Sequence, residues 1–126
     1  MNRDILFMLY PESVKTEEKW RYCPDCVLIA GYLSFYPVVE RALDIRFVAP
    51  PRPRATIIAL LGEDHQGAPV LVLDTDSPSI PGITYKEANG WRFIDEPKDI
   101  LAYLGARHPA GAATTPAAPV CEPVPA

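Results

Sequence analysis

The sequence predicts an α/β domain in the order β-α-β-α-β-β-α, with a mixed four-stranded sheet flanked by helices. Three observations carry that prediction. Ile5–Tyr10 is an unbroken apolar run of strand length, and a run without alternation suits a strand covered on both faces. Val70-Leu71-Val72-Leu73 is a second such run. The stretches between and after them place apolar residues at helical spacing and are punctuated by proline and glycine. A chain of 126 residues has material for one core, not two.

Each element follows in turn. Pro11 ends the first strand. Residues 12–20 carry Glu12, Lys15, Glu17, Glu18 and Lys19 and read as an exposed loop or a ragged helical turn. Pro24 suits the first position of a helix, where its missing N–H would have no partner anyway. Cys26, Ile29, Ala30 and Leu33 then fall at helical spacing and form the expected buried stripe. Pro37 marks a break or a second short turn running to about Leu43. Asp44–Ala49 alternates and then turns apolar, as a strand does, and Pro50, Pro51 and Pro53 stop it. Ala55–Gly62 sets Ile57, Ile58, Leu60 and Leu61 at helical spacing, with Gly62 as C-cap.

Gly67-Ala68-Pro69 is a turn signal before the strand at Val70. Residues 74–90 are rich in Asp, Ser, Pro and Gly and read as a long loop, with a hairpin-type turn at Asn89-Gly90. Trp91–Ile94 resumes as a strand, antiparallel to its predecessor. The first two strands, joined through a helix, form a parallel right-handed unit. Pro97–Arg107 is the last helix, with Ile100, Leu101 and Leu104 inward. The expected domain is 1–108, with an insertion at 11–22. Residues 109–126 hold five prolines and six alanines and are expected to be a disordered tail.

Sixteen acidic and 12 basic side chains leave a net charge of −4. Such a surface has no general attraction for nucleic acid or anionic lipid. No apolar run approaches the roughly 20 residues that span a bilayer, and Ile5–Tyr10 is too short for a signal-peptide core. Three cysteines, an odd count without an export signal, argue against a disulfide framework. The chain therefore reads as cytoplasmic, a monomer or weak dimer, with no nucleic-acid or membrane partner.

The chemistry centres on Cys23-Pro24-Asp25-Cys26 at a strand-to-helix junction. There the first cysteine meets unpaired backbone N–H groups and the positive end of the helix dipole, and both stabilise a thiolate. The second lies on the same side of the first turn, placed to attack a mixed disulfide. Cys23 is then the exposed nucleophile and Cys26 the buried resolving thiol. Asp25 disfavours a second negative charge, while Arg21, and Arg52 or Arg54 if they fold near, would favour it. The same pair could instead be plain core packing, since free cysteine is often buried. A third reading is a structural zinc site, whose further ligands would come from His65, His108 and Cys121; these are scattered.

Pro51-Arg52-Pro53-Arg54 is either an anion-holding frame or an exposed basic turn. Trp20 and Tyr22 flank the cysteines and either line a substrate groove or anchor the insertion. His65 is either a proton donor near Pro69 or a solvent-exposed loop residue. Cys121 is either a cross-linking or an incidental thiol.

The order of elements, with Tyr22–Cys26, Ala68–Leu73 and Asp95–Leu104, resembles the thioredoxin superfamily, most closely glutaredoxins and the N-terminal domains of glutathione S-transferases. The resemblance implies a thioredoxin-like fold, a cis bond before Pro69 that packs against the cysteines, and a backbone at Ala68–Val70 that pairs with a peptide or glutathione as an extra strand. It implies a thiol–disulfide oxidoreductase acting on a protein or low-molecular-weight disulfide, with glutathione as a possible co-substrate and no bound cofactor. The alternative is a non-catalytic binding module whose cleft uses Arg52 and Arg54. More narrowly, residues 3–108 resemble a bacterial domain of unknown function, number three thousand eighty-eight, through Asp4–Leu9, Tyr22–Cys26, Phe47–Arg54, Leu61–Pro69 and the final helix. The chain departs from thioredoxins and glutaredoxins in the insertion Pro11–Tyr22 and in the Pro-Asp between the cysteines. Glu96-Pro97 also stands where glutathione S-transferases have an acidic residue and a serine.

Overall fold

The computed structural model describes residues 3–11 and 21–113. Its elements are β1 (Ile5–Leu9), α1 (Pro24–Phe35), α2 (Pro37–Ala42), β2 (Asp44–Val48), α3 (Ala55–Leu61), β3 (Val70–Val72), β4 (Lys86–Ala88), β5 (Trp91–Ile94) and α4 (Pro97–Arg107). The sheet order is β2-β1-β3-β5-β4. β1 runs parallel to β2, and β3, β5 and β4 follow in successive antiparallel pairs. This mixed α/β architecture is the expected one and is compatible with a thioredoxin-like fold.

The central strands owe their apolar runs to two-sided burial. Leu6, Met8 and Leu71 face a core closed by α1, α2 and α4, where Cys26, Ile29, Leu33, Val39, Ile100, Tyr103 and Leu104 pack. Phe7, Val70, Val72 and Phe93 face the other way, against Ile57 and Leu61 of α3 and Val48 of β2. A strand buried on both faces has no polar side to display, so its sequence does not alternate.

Four details differ from the sequence reading. The sheet has five strands, because Lys86–Ala88 pairs with β5 across the Asn89-Gly90 turn. That strand lay inside the stretch read as loop. Its side chains are mostly exposed and its pairing is held by the turn, with Asn89 at φ 51° and Gly90 at φ 80°. Ala30 is exposed, so the stripe of α1 is Cys26, Ile29 and Leu33. On α4, Tyr103 is fully buried while Leu101 is only half-buried. Ile58 and Leu60 of α3 are likewise only partly covered.

Tyr103 reaches a polar knot at the start of β1. The Asp4 side chain, 1% exposed, accepts from Tyr103 Oη (3.0 Å), Arg107 Nη1 (2.8 Å), the Ser77 hydroxyl and the Asp74 backbone N–H (2.7 Å). Four donors on one carboxylate satisfy a charge that would otherwise be costly to bury. The knot ties β1, the loop after β3 and the end of α4 together. Asp4→Ala leaves the largely covered Arg107 guanidinium without its carboxylate. Urea unfolding should show a loss of about 3 kcal/mol, with a smaller loss for Asp4→Asn, which keeps an acceptor.

Candidate functional site

The start of α1 is built on its first cysteine. Cys23 is the N-cap, with extended backbone (φ −82°, ψ 114°), and its Sγ accepts the N–H of Cys26 at 3.2 Å. A sulfur thus takes the place that a Ser or Asp oxygen usually holds, satisfying one orphan donor of the first turn. Pro24 occupies N1 and Asp25 lies in the first turn, as the sequence implied.

The two thiols are free and their surroundings differ. Cys26 is buried against β1, and its Sγ accepts the Leu9 N–H at 3.4 Å. Burial, followed by the hydrogen bond with Cys23, pushes the Cys26 thiol up to about 12; the Leu9 N–H pulls the other way. Cys23 is half-buried and opens onto two adjoining depressions. One, about 190 Å³, is lined by Leu9, Tyr10, Arg21, Tyr22 and Pro50. The other, about 160 Å³, runs between α1 and β2 along Val27, Ala30 and Phe47. Tyr10 and Phe47 stack with ring centroids 5.2 Å apart. Exposed Tyr22 lines both depressions, as a groove residue would. Trp20 lies outside the described residues.

The Ala68–Pro69 bond is cis and Pro69 is buried. The antiparallel β1–β3 register pairs Phe7 with Val70, so the start of β3, with Pro69 just before it, lies toward the end of β1 at which the Leu9 N–H meets the Cys26 sulfur. The proline and the dithiol therefore share one end of the sheet. Val70 is paired on the β1 side only, because the ladder to β5 starts at Leu71.

Arg54 joins the loops at this end. Its Nε and Nη2 donate to Pro50 O, its Nη1 to Gln66 O, and its backbone N–H to Gln66 Oε1, all at 2.8–3.0 Å. Burial and the neighbouring Arg52 lower its pKa, while the charges of Cys23 and Cys26 oppose that fall. Arg54 therefore clamps the loop after β2 to the segment leading into Pro69, close enough for its charge to act on both sulfurs. Its donors are spent on backbone carbonyls, which weakens the reading of it as an anion hook. Arg52 is exposed, and the bond between it and Pro53 is cis.

The other candidates lie elsewhere. His65 packs edge-on against Phe93 and lines a small depression with Leu61, Val70 and Asp95. His108 caps the far end of α4; its Nε2 is buried without a hydrogen-bond partner, and burial lowers its pKa. Glu96 is the N-cap of α4, accepting the Lys98 N–H at 3.4 Å. Among the described residues no three His, Cys, Asp or Glu side chains gather to hold a metal, and no helix is long and apolar enough to cross a membrane. Cys121 lies outside the described residues. Sequence reasoning missed Tyr10, Phe47 and Pro50 around Cys23. Their signal was topological: Tyr10 and Pro50 follow, and Phe47 lies one residue before the end of, the two parallel strands β1 and β2.

Fold and site together define a mixed α/β domain with a free Cys-x-x-Cys dithiol capping its first helix. The chain belongs to the family described as "Protein of unknown function (DUF3088)", whose profile matches residues 3–112. No curated protein and no solved structure matches it.

The surroundings of Cys26 predict two outcomes. Iodoacetamide at pH 8 should label Cys23 in the folded protein and reach Cys26 only on unfolding, read by peptide mass mapping. The unfolded thiol ionises near its ordinary value of 9.0 and the folded one near 12. Between those values the unfolded chain releases a proton that the folded protein keeps, so stability falls as pH rises through that window. The urea midpoint of the native protein should drop more steeply from pH 8 to 10.5 than that of Cys26→Ala.

Proposed function

We propose that the protein is a thiol–disulfide oxidoreductase in which Cys23 attacks and Cys26 resolves. The observation that carries this reading is the asymmetry of the pair: Cys23 is half-buried and borders both depressions, while Cys26 borders only one of them, is buried, and is held protonated within the same helical turn.

The steps balance as follows. The Cys23 thiolate attacks one sulfur of a substrate disulfide; a Cys23–substrate S–S bond forms and the substrate's second sulfur leaves as a thiolate that takes a proton. In that mixed disulfide Cys23 no longer carries charge. Its contributions holding the Cys26 proton disappear, and Cys26 ionises more easily. The Cys26 thiolate then attacks Cys23 Sγ, forming the intramolecular disulfide and releasing the reduced substrate. Two electrons pass from the dithiol to the substrate. A second thiol, glutathione or a protein dithiol, reduces the pair again. Ala68–Val70 dock the substrate backbone, and Tyr22 lines its approach.

Cys23→Ser should lose disulfide reductase activity, measured with a low-molecular-weight disulfide and glutathione. Cys26→Ser should form the mixed disulfide without resolving it, seen as a persistent mass adduct on Cys23. Equal, slow reaction at both thiols and full activity in Cys23→Ser would refute the assignment.

A further inference from the structure

Apolar side chains gather on the surface around Cys23. Among the described residues seven large hydrophobic side chains are exposed, and four of them, Tyr10, Tyr22, Val27 and Phe47, line the two depressions beside this cysteine. Leaving such a cluster in water costs free energy, and contiguous apolar patches mark interaction sites.

Backbone geometry puts the cluster there. Phe47 pairs with Met8 across the parallel β1–β2 ladder, and the Tyr10 N–H donates to Val48 O at 3.0 Å, so the ladder continues past Leu9. Alternation sets Met8, Tyr10 and Phe47 on the face of the sheet that α1 covers. β2 is an edge strand, so no further strand shields Phe47, and its ring stacks on Tyr10. Val27 stands one helical turn after Cys23 on the same side of α1, and its N–H donates to Cys23 O at 3.0 Å. The result is an apolar shelf on the β2 side of β1. The Ala68–Val70 backbone lies on the β3 side.

Two properties of the shelf select a substrate. The depressions hold about 190 and 160 Å³, each less than the roughly 300 Å³ that encloses a small molecule. They suit side chains projecting from a chain that crosses the surface. Charge is also scarce: among the described residues, Arg21 is the one charged side chain that lines either depression. Oxidised glutathione carries several carboxylates, which would lose water against these rings without matching cations.

Resting on the oxidoreductase reading, we propose that the substrate is a polypeptide disulfide with an aromatic side chain next to its reacting cysteine, and that the Tyr10–Phe47 shelf holds that side chain. The Cys23 thiolate attacks the peptide sulfur beside the aromatic residue, and a Cys23–peptide S–S bond forms. The other peptide sulfur leaves as a thiolate that takes a proton, and Cys26 then resolves the bond. Phe47 is the specificity-determining residue.

The test is the rate at which the reduced protein is oxidised by the disulfide dimers of two peptides, acetyl-Phe-Cys-Phe-amide and acetyl-Ser-Cys-Ser-amide, and by oxidised glutathione. The Phe peptide should react about tenfold faster than either of the others, the effect of half-burying an aromatic side chain. In Phe47→Ser, checked by circular dichroism to be folded, the ratio between the peptides should fall to about twofold, and Phe47→Tyr should keep it. Equal rates for the two peptides, faster reaction with glutathione, or a tenfold ratio kept in Phe47→Ser would overturn the proposal. No oxidation by any disulfide, 2-hydroxyethyl disulfide included, would overturn the oxidoreductase reading itself.

Discussion

The docking of α1 onto the end of β1 is the constraint on which the rest of the structure depends. One atom sits at that joint: Cys26 Sγ takes the Leu9 N–H and lies against the core face of the sheet. Because β1 is flanked by β2 and β3, whatever is fixed to its last residue is fixed relative to both neighbours. The loop after β2 and the turn before β3 converge on the same end, and Arg54 ties them together. The dithiol therefore sits in a frame made by three strands, while the Asp4 knot secures the opposite end of β1.

That frame makes the two sulfurs unequal. Two cysteines three residues apart have nearly the same chain environment, so their difference comes from packing. Cys26 points into the core and is kept protonated there. Cys23 stays at the helix boundary, where it caps the first turn and faces outward. The proposed division of labour between an attacking and a resolving thiol rests on that difference in burial.

Much of this was legible in the sequence because the signals were local. Two-sided burial marked β1 and β3; Pro24 and Pro97 marked helix starts; the Cys-x-x-Cys spacing marked one helical turn. What escaped was set by tertiary contact. Strand β4 has an ordinary polar sequence and becomes a strand through its pairing with β5. Asp4 carries no local sign of its role, and only the return of α4 and the loop at Ser77 makes it a buried hub. Arg54 reads as half of a basic turn, yet its guanidinium serves the backbone of two loops. The aromatic wall beside Cys23 comes from Tyr10 and Phe47, 37 positions apart and adjacent only through parallel pairing.

The central claim is that the pair cycles between dithiol and disulfide, and redox equilibration tests it most directly. The protein is held in glutathione buffers of stepped potential, quenched with acid and mapped by mass spectrometry. The account predicts a reversible two-electron transition to a Cys23–Cys26 disulfide within the range of known dithiol proteins, about −270 to −120 mV. Absence of that disulfide at every potential, with Cys26 remaining a thiol while Cys23 only exchanges with glutathione, would contradict it.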